Sequence, residues 1–302
     1  MTDQTRDDLP VVRDHRRQWR DCLYVYPVIS RRARGLSIGV NINPDKTCNF
    51  SCLYCQIDRR ARRNLDTVDI PTLAAELGQA MQAAQNGDLW REPRFAEVPP
   101  ELRRINDIAF SGDGEPTCLP DFDQAVAAAA QVKHRFGRDD VRIVVITNAS
   151  RLDESQVARA LPLLDANNGQ IWAKLDAGSE EYFRQVNRPA GDITLRKVLD
   201  NVVAVARSRP VVIQSLFFRI AGQDPPAAEI DAYCARLREI TAAGGRIELV
   251  QVHTIARPPQ DPAASPLPDW ALEAIAAKVR QAAPGLRVET YYGQDVPPQR
   301  QL

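Results

Sequence analysis

Cys48, Cys52 and Cys55 fall in the run Thr47-Cys48-Asn49-Phe50-Ser51-Cys52-Leu53-Tyr54-Cys55, a C-x3-C-x2-C spacing. Three thiolates on one short loop can hold three irons of a four-iron cluster and leave the fourth iron without a protein ligand. Cysteine-ligated clusters ordinarily take four cysteines, so a three-cysteine loop implies an open coordination position. An open position on a metal centre marks chemistry rather than scaffolding, by the logic that separates catalytic from structural zinc sites. Inert core cysteines are common, but they do not gather within eight residues as 48–55 do. A disulfide reading suffers from the odd number and from the lack of a signal peptide. Structural zinc is the remaining alternative, and it would need a fourth ligand. Cys22, Cys118, Cys234, His15, His134 and His253 are scattered singly through the chain.

The elements that must position this loop follow an alternating pattern. Residues 36–42 form a short apolar run ending before Asn43-Pro44, which predicts a buried strand followed by a loop, and that loop carries the cysteines. Strands are expected again at 105–110, 141–146, 171–175, 211–218 and 247–254, with a short seventh at 286–291. Helical spacing occupies 70–85, with Asp69 or Pro71 as its start, then 121–136, 155–164, 180–185, 195–207, 227–243 and 269–282. Gly244-Gly245 stops the helix before it. Residues 86–104 are polar and proline-rich, an irregular insertion. Six strands alternating with helices mean parallel β/α units, in a wound or barrel-like α/β sheet whose functional edge is the C-terminal ends of the strands. No internal repeat or low-complexity block interrupts the pattern.

Length and composition fit this. The chain has 302 residues, 44% hydrophobic and 26% charged, enough for one large barrel-type domain or two small ones. No apolar run is long enough to cross a bilayer. Residues 1–20 are polar with both charge signs, unlike a signal or transit peptide, so a reducing cytoplasm is expected. The 39 basic and 39 acidic residues cancel, which gives no global pull toward nucleic acid. Arginines nevertheless cluster at 13, 16, 17 and 20, at 31, 32 and 34, and at 59, 60, 62 and 63. They read as a solvated surface or as an anion-binding rim, since the last two groups flank the cysteine loop.

Polar residues recur at the strand ends. Ser111-Gly112-Asp113-Gly114-Glu115-Pro116-Thr117 follows the second strand, and its glycines permit close backbone approach. Taken alone it is an ordinary turn with Asp113 or Thr117 as a helix cap. Thr147-Asn148 ends the third strand, Lys174 and Asp176 the fourth, and Gln214-Ser215 lie inside the fifth. Polar side chains within apolar strands should face the lumen of a partial barrel, because burial without a partner is costly. Lys174 pairs either with a ligand carboxylate or with Asp176. His253, near the end of the sixth strand, is a candidate acid or base, although a lone histidine is more often structural.

The cysteine loop, with Tyr54 in the aromatic slot before the third cysteine, resembles the motif of the radical S-adenosylmethionine (SAM) superfamily. Gly112-Asp113-Gly114-Glu115-Pro116 resembles its Gly-Gly-Glu-Pro motif. The runs around residues 26–40, 46–56, 111–117 and 254–259 are similar to bacterial and archaeal radical SAM iron–sulfur oxidoreductases related to the wyosine-type tRNA-modifying enzymes. The resemblance implies a partial (β/α)6 TIM-like barrel. It implies a [4Fe–4S] cluster on Cys48, Cys52 and Cys55 whose open iron is chelated by SAM, with Tyr54 near the adenine. Asp113, Gly114 and Glu115 would meet the SAM ammonium, and Asn148, Asp176 and Gln214 its ribose and carboxylate. It implies reductive cleavage of SAM to a 5′-deoxyadenosyl radical that takes hydrogen from an unknown substrate, with an electron donor such as flavodoxin or ferredoxin. Residues 27–268 would form the core barrel, 1–26 an N-terminal extension, and 269–302 a C-terminal helix and short strand. A wyosine-like tRNA modifier, a radical activase of a partner protein and an electron-transfer protein are the alternatives. The tRNA-modifying members carry a second cluster on extra N-terminal cysteines, whereas this chain has only Cys22 there, which weighs against a second cluster and a nucleic-acid partner.

Overall fold

The computed structural model describes residues 17–59 and 67–293. The chain forms two compact units, one of Met1–Asn49, Arg59–Thr147 and Arg151–Trp172, the other of Phe50–Asp58, Asn148–Ser150 and Ala173–Leu302. Hydrogen-bonded strand neighbours follow the order β1-β2-β3-β4-β5-β6-β8-β10, and β7 pairs with β9.

In the first unit, β1 (Val25–Ser30) and β2 (Gly35–Val40) make an antiparallel pair in which Val25 faces Val40 and Ser30 faces Gly35. The apolar pattern does not announce β1, because Pro27 lacks a ladder donor. Pro27 is tolerated because β1 is an outer strand with β2 alone beside it. Helix α1 (Ile70–Gln85) starts as expected, with the Asp69 carboxylate accepting from Thr72 N at 3.3 Å. It buries Glu76, whose carboxylate accepts the N–H groups of Leu23, Tyr24 and Val25 at 2.7, 2.8 and 3.1 Å and so fixes the entry to β1.

β2, β3 (Ile105–Phe110) and β4 (Arg142–Thr147) run parallel, with Val40 beside Phe110 and Phe110 beside Val145. Their C-terminal ends therefore share one edge. Helices α2 (Phe122–Arg135) and α3 (Ser155–Asp165) follow β3 and β4. The insertion 86–104 carries two single turns, Leu89–Arg91 and Pro100–Leu102. Strand β5 (Gly169–Lys174) begins in the first unit and ends in the second.

Asp107 of β3 is buried and accepts a hydrogen bond from Ser37 Oγ of β2. Burial pushes its carboxyl up from 3.8 to about 6, against the lowering effects of Ser37, Arg142 and Arg32. A carboxyl whose folded value lies above its unfolded one binds its proton more tightly in the native state. Its contribution to stability is therefore greatest below about pH 4 and is lost as pH rises toward 6, by about 3 kcal/mol over the full shift. Asp107→Asn is expected to remove this descent. Thermal melts between pH 4 and pH 6.5 check it, and parallel profiles for the two proteins would show that Asp107 does not titrate there.

The second unit holds α4 (Glu180–Asn187), α5 (Leu195–Ser208), β6 (Val211–Leu216), β7 (Phe218–Ile220), α6 (Ala227–Ala242), β8 (Ile247–His253), β9 (Ala264–Pro266), α7 (Asp269–Ala282) and β10 (Val288–Tyr291). β6, β8 and β10 are parallel, and His253 sits beside Leu216 on one side and Tyr291 on the other. The sequence reads 211–218 as one strand, but the structure breaks it at Phe217. Leu216, still paired with His253 of β8, donates its N–H to the Asp176 carboxylate at 2.9 Å, and after Phe217 the chain changes partner, β7 pairing antiparallel with β9. Among the described residues, no helix is long and apolar enough to cross a membrane.

Candidate metal centre

Cys48 and the turn after β3 lie in the first unit. The turn is pressed against the segment leading to the cysteines. Asn41 Oδ1 accepts from Asn43 N at 3.2 Å and from Asp113 N at 3.1 Å, while its Nδ2 donates to Asp113 Oδ2 at 2.9 Å. Glu115 N donates to Thr47 O at 3.3 Å, one residue before Cys48. Arg59 donates to Lys46 O and, at 3.2 Å, to Asp113 O, and Arg17 pairs with the Asp113 carboxylate. Gly114 is required here: a Cβ on it would lie 1.8 Å from Thr47 O and 2.7 Å from Asn43 Cβ. Glu115 is buried, and its Oε1 accepts from Thr117 N at 3.1 Å and from the hydroxyls of Thr117 and Thr147, each at 2.6 Å. It thereby caps the turn Pro116–Cys118, the task the sequence alone offers to Asp113 or Thr117. Burial first, and Glu115 second, push the Cys118 thiol up to about 11, so it stays protonated.

Cys52, Tyr54 and Cys55 lie in the second unit. Their loop is held from two sides. Ser51 N donates to Arg188 O at 3.0 Å and Leu53 N to Val186 O at 2.8 Å, and Phe50 bridges to Pro189. Gln260 N donates to Cys55 O at 2.9 Å, and Gln56 Nε2 donates to Arg257 O at 3.3 Å. Leu53 packs into a core of Val186, Phe218, Ile255 and Ala264, and the Tyr54 ring meets Phe218 edge-on at 5.6 Å.

Asp176, just past β5, gathers donors. Its carboxylate accepts from Tyr54 Oη at 2.5 Å, Asn187 Nδ2 at 3.0 Å and Leu216 N at 2.9 Å, with Lys174 Nζ at 3.4 Å. Lys174 thus takes the Asp176 partner rather than standing alone, and its ammonium also lies 5.0 Å from the Tyr54 ring centre. Burial, then the nearby Asp176, push the Tyr54 phenol well above its usual value, so it remains a donor. Glu229 of α6 fixes the backbone beyond Asp176 by accepting from Gly178 N and from Ser179 N at 3.3 Å.

The other sequence candidates fall into two kinds. Gln214 is buried in β6 with its Nε2 donating to Gln251 Oε1 of β8 at 3.0 Å. Asn148 shapes the turn after β4, its Oδ1 accepting from Ser150 N at 3.0 Å and Ser150 Oγ at 2.6 Å. His253 ends β8, and its carbonyl accepts from Phe217 N at 2.8 Å. Arg13, Arg16, Arg60, Arg62 and Arg63 lie outside the described residues. Asn41, Asn187, Gln251 and Gln260 are residues that the sequence pattern missed. Asn41 and Gln251 carried a usable signal as polar residues within apolar runs at strand ends, whereas Asn187 and Gln260 carried none.

None of the six cysteines is in a disulfide, and the three loop cysteines are half-buried. Among the described residues, no three Cys, His, Asp or Glu side chains stand in metal-ligating array. What fits an iron–sulfur cluster is the donor set: three soft thiols on one anchored loop, with a buried amide N–H directed at one of them.

The Radical SAM superfamily model matches residues 42–219. A UPF0026 protein of Methanocaldococcus jannaschii is 28% identical over 183 residues, 59% of this chain and 48% of that protein. The chain thus spans about half the length of this curated relative. A radical SAM methyltransferase from Sphaerobacter thermophilus has a similar structure, with a TM-score of 0.59 at 15% identity over 89% of this chain and 69% of that one. Streptococcus suis SuiB bound to S-adenosylmethionine gives 0.54 at 16% identity, over 86% and 52%. At such identities the likeness is one of fold.

Proposed function

Because the chain belongs to the radical SAM superfamily, with its α/β partial (β/α)6 barrel and its use of a [4Fe–4S] cluster and SAM, we propose that Cys48, Cys52 and Cys55 are the cluster's protein ligands here. The protein is an enzyme of the radical SAM class, and the finer reading is reductive cleavage of SAM to abstract hydrogen from a substrate. The observation that carries the assignment is the loop itself: three thiols, none in a disulfide, on backbone held by residues 186–189 and 257–260.

When bound, the cluster and SAM together supply one-electron cleavage of a sulfonium carbon–sulfur bond. This chain's residues bind and orient. Gly114 brings the turn backbone against the segment entering Cys48, and Asp113 and Glu115 are fixed by bonds already made, so the turn would hold the SAM ammonium without rearranging. Tyr54 would hold the adenine, and Asn148, Asp176 and Gln214 would hold the ribose and carboxylate. His253 is the proposed acid or base toward substrate. A flavodoxin- or ferredoxin-like donor supplies the electron.

Anaerobic reconstitution with iron and sulfide, then dithionite and SAM, should yield 5′-deoxyadenosine. A reconstituted cluster that never cleaves SAM would overturn the catalytic reading, and zinc in place of iron in anaerobically purified protein would overturn the ligand assignment.

A further inference from the structure

Asn187 ends α4 and is 3% exposed. Its Nδ2 stands 3.0 Å from Asp176 Oδ2 and 3.7 Å from Cys52 Sγ. An amide nitrogen carries two hydrogens, and here it meets two acceptors. The amide atom facing Asp176 is the nitrogen, which donates to Oδ2. Oδ1 is then left buried with no hydrogen-bond partner. Asp176 also takes Tyr54, Leu216 and Lys174 as donors, and Asn187 joins that carboxylate to the Cys52 sulfur, which the Tyr54 hydroxyl reaches as well.

We propose that Asn187 is a redox-positioning residue: its amide N–H is donated to the Cys52 thiolate and raises the reduction potential of the cluster that the loop holds. The inference rests on the ligand assignment above. A hydrogen bond to a cluster sulfur favours the more negative, reduced state, and such outer contacts are a principal means by which proteins set these potentials. Asp176 makes the donor directional. By holding one amide hydrogen it aims the other, so that Tyr54, Asp176, Asn187 and Cys52 form one hydrogen-bonded series from phenol to thiol.

The test uses the full chain, reconstituted anaerobically without SAM, and reads the cluster's midpoint potential by titration followed by EPR. Asn187→Leu keeps the volume and removes the donor. It is expected to retain iron and to shift the potential negative, lowering the reduced-to-oxidised ratio at a fixed potential about tenfold, about 59 mV for a one-electron couple. Asn187→Asp places a charged acceptor at the same position and should shift the potential the same way. It carries the test by itself if the leucine variant does not fold. An unchanged potential in an iron-replete variant would overturn the proposal. Wild-type protein that takes up no iron would instead overturn the ligand assignment from which it starts.

Discussion

Cys48→Ala, Cys52→Ala and Cys55→Ala are each expected to abolish iron retention and to lower 5′-deoxyadenosine formation by more than about 10²-fold, beyond the range in which outer contacts of a metal site act. A cluster with one open iron has no ligand to spare, because each of the three thiolates satisfies a different iron. Cys22→Ala and Cys118→Ala are the informative controls. Burial pushes both thiols up to about 11, which keeps them protonated and poor as ligands. Both variants should keep full iron content. Iron and sulfide analysis of the five proteins, beside the SAM-cleavage assay, decides the matter. Loss of iron in the Cys22 variant would reveal a second metal site. Full iron in any of the three loop variants would remove that cysteine from the ligand set.

Gly114→Ala is expected to damage SAM binding almost as severely, although it removes no functional group. The new methyl would stand 1.8 Å from Thr47 O, so either the turn 112–115 or the backbone entering Cys48 must move by more than an ångström. Misplacement of that size costs on the order of 10²-fold when reacting groups must be aligned. Gly78→Ala is the contrast. It lies within α1, a Cβ there would be 3.8 Å from the nearest atom, Phe136 Cε2, and alanine is the better helix former by about 1 kcal/mol. SAM affinity by equilibrium dialysis should fall steeply for Gly114→Ala and stay unchanged for Gly78→Ala, which should melt at the same or a higher temperature. Wild-type affinity in Gly114→Ala would show that the turn does not touch SAM.

The strands and helices were largely legible because they are local. Helix α7 spans 269–282 as read, α1 begins at its Asp69 cap, and β2 through β8 lie within two residues of their apolar runs, save for the split at Phe217. The exceptions share a cause. β1 is invisible behind Pro27 until it is known to be an outer strand, and the break after Leu216 goes with a change of partner strand, from β8 to β9. Both depend on what lies beside the segment, which local periodicity does not record.

The same division holds for the chemistry. By itself the sequence determined the three thiols on one loop, the polar turn after the second parallel strand and the order of strand ends on which they sit, since residue type and spacing decide ligand chemistry. Only the tertiary structure decided how those groups are held: Glu115 as a cap bonded to Thr147, Arg59 tied to the turn, and Asn187 reaching Cys52 across 135 residues. Hydrogen bonds between side chains so far apart exist only once folding has brought their elements together and buried them, so no pattern along the chain encodes them.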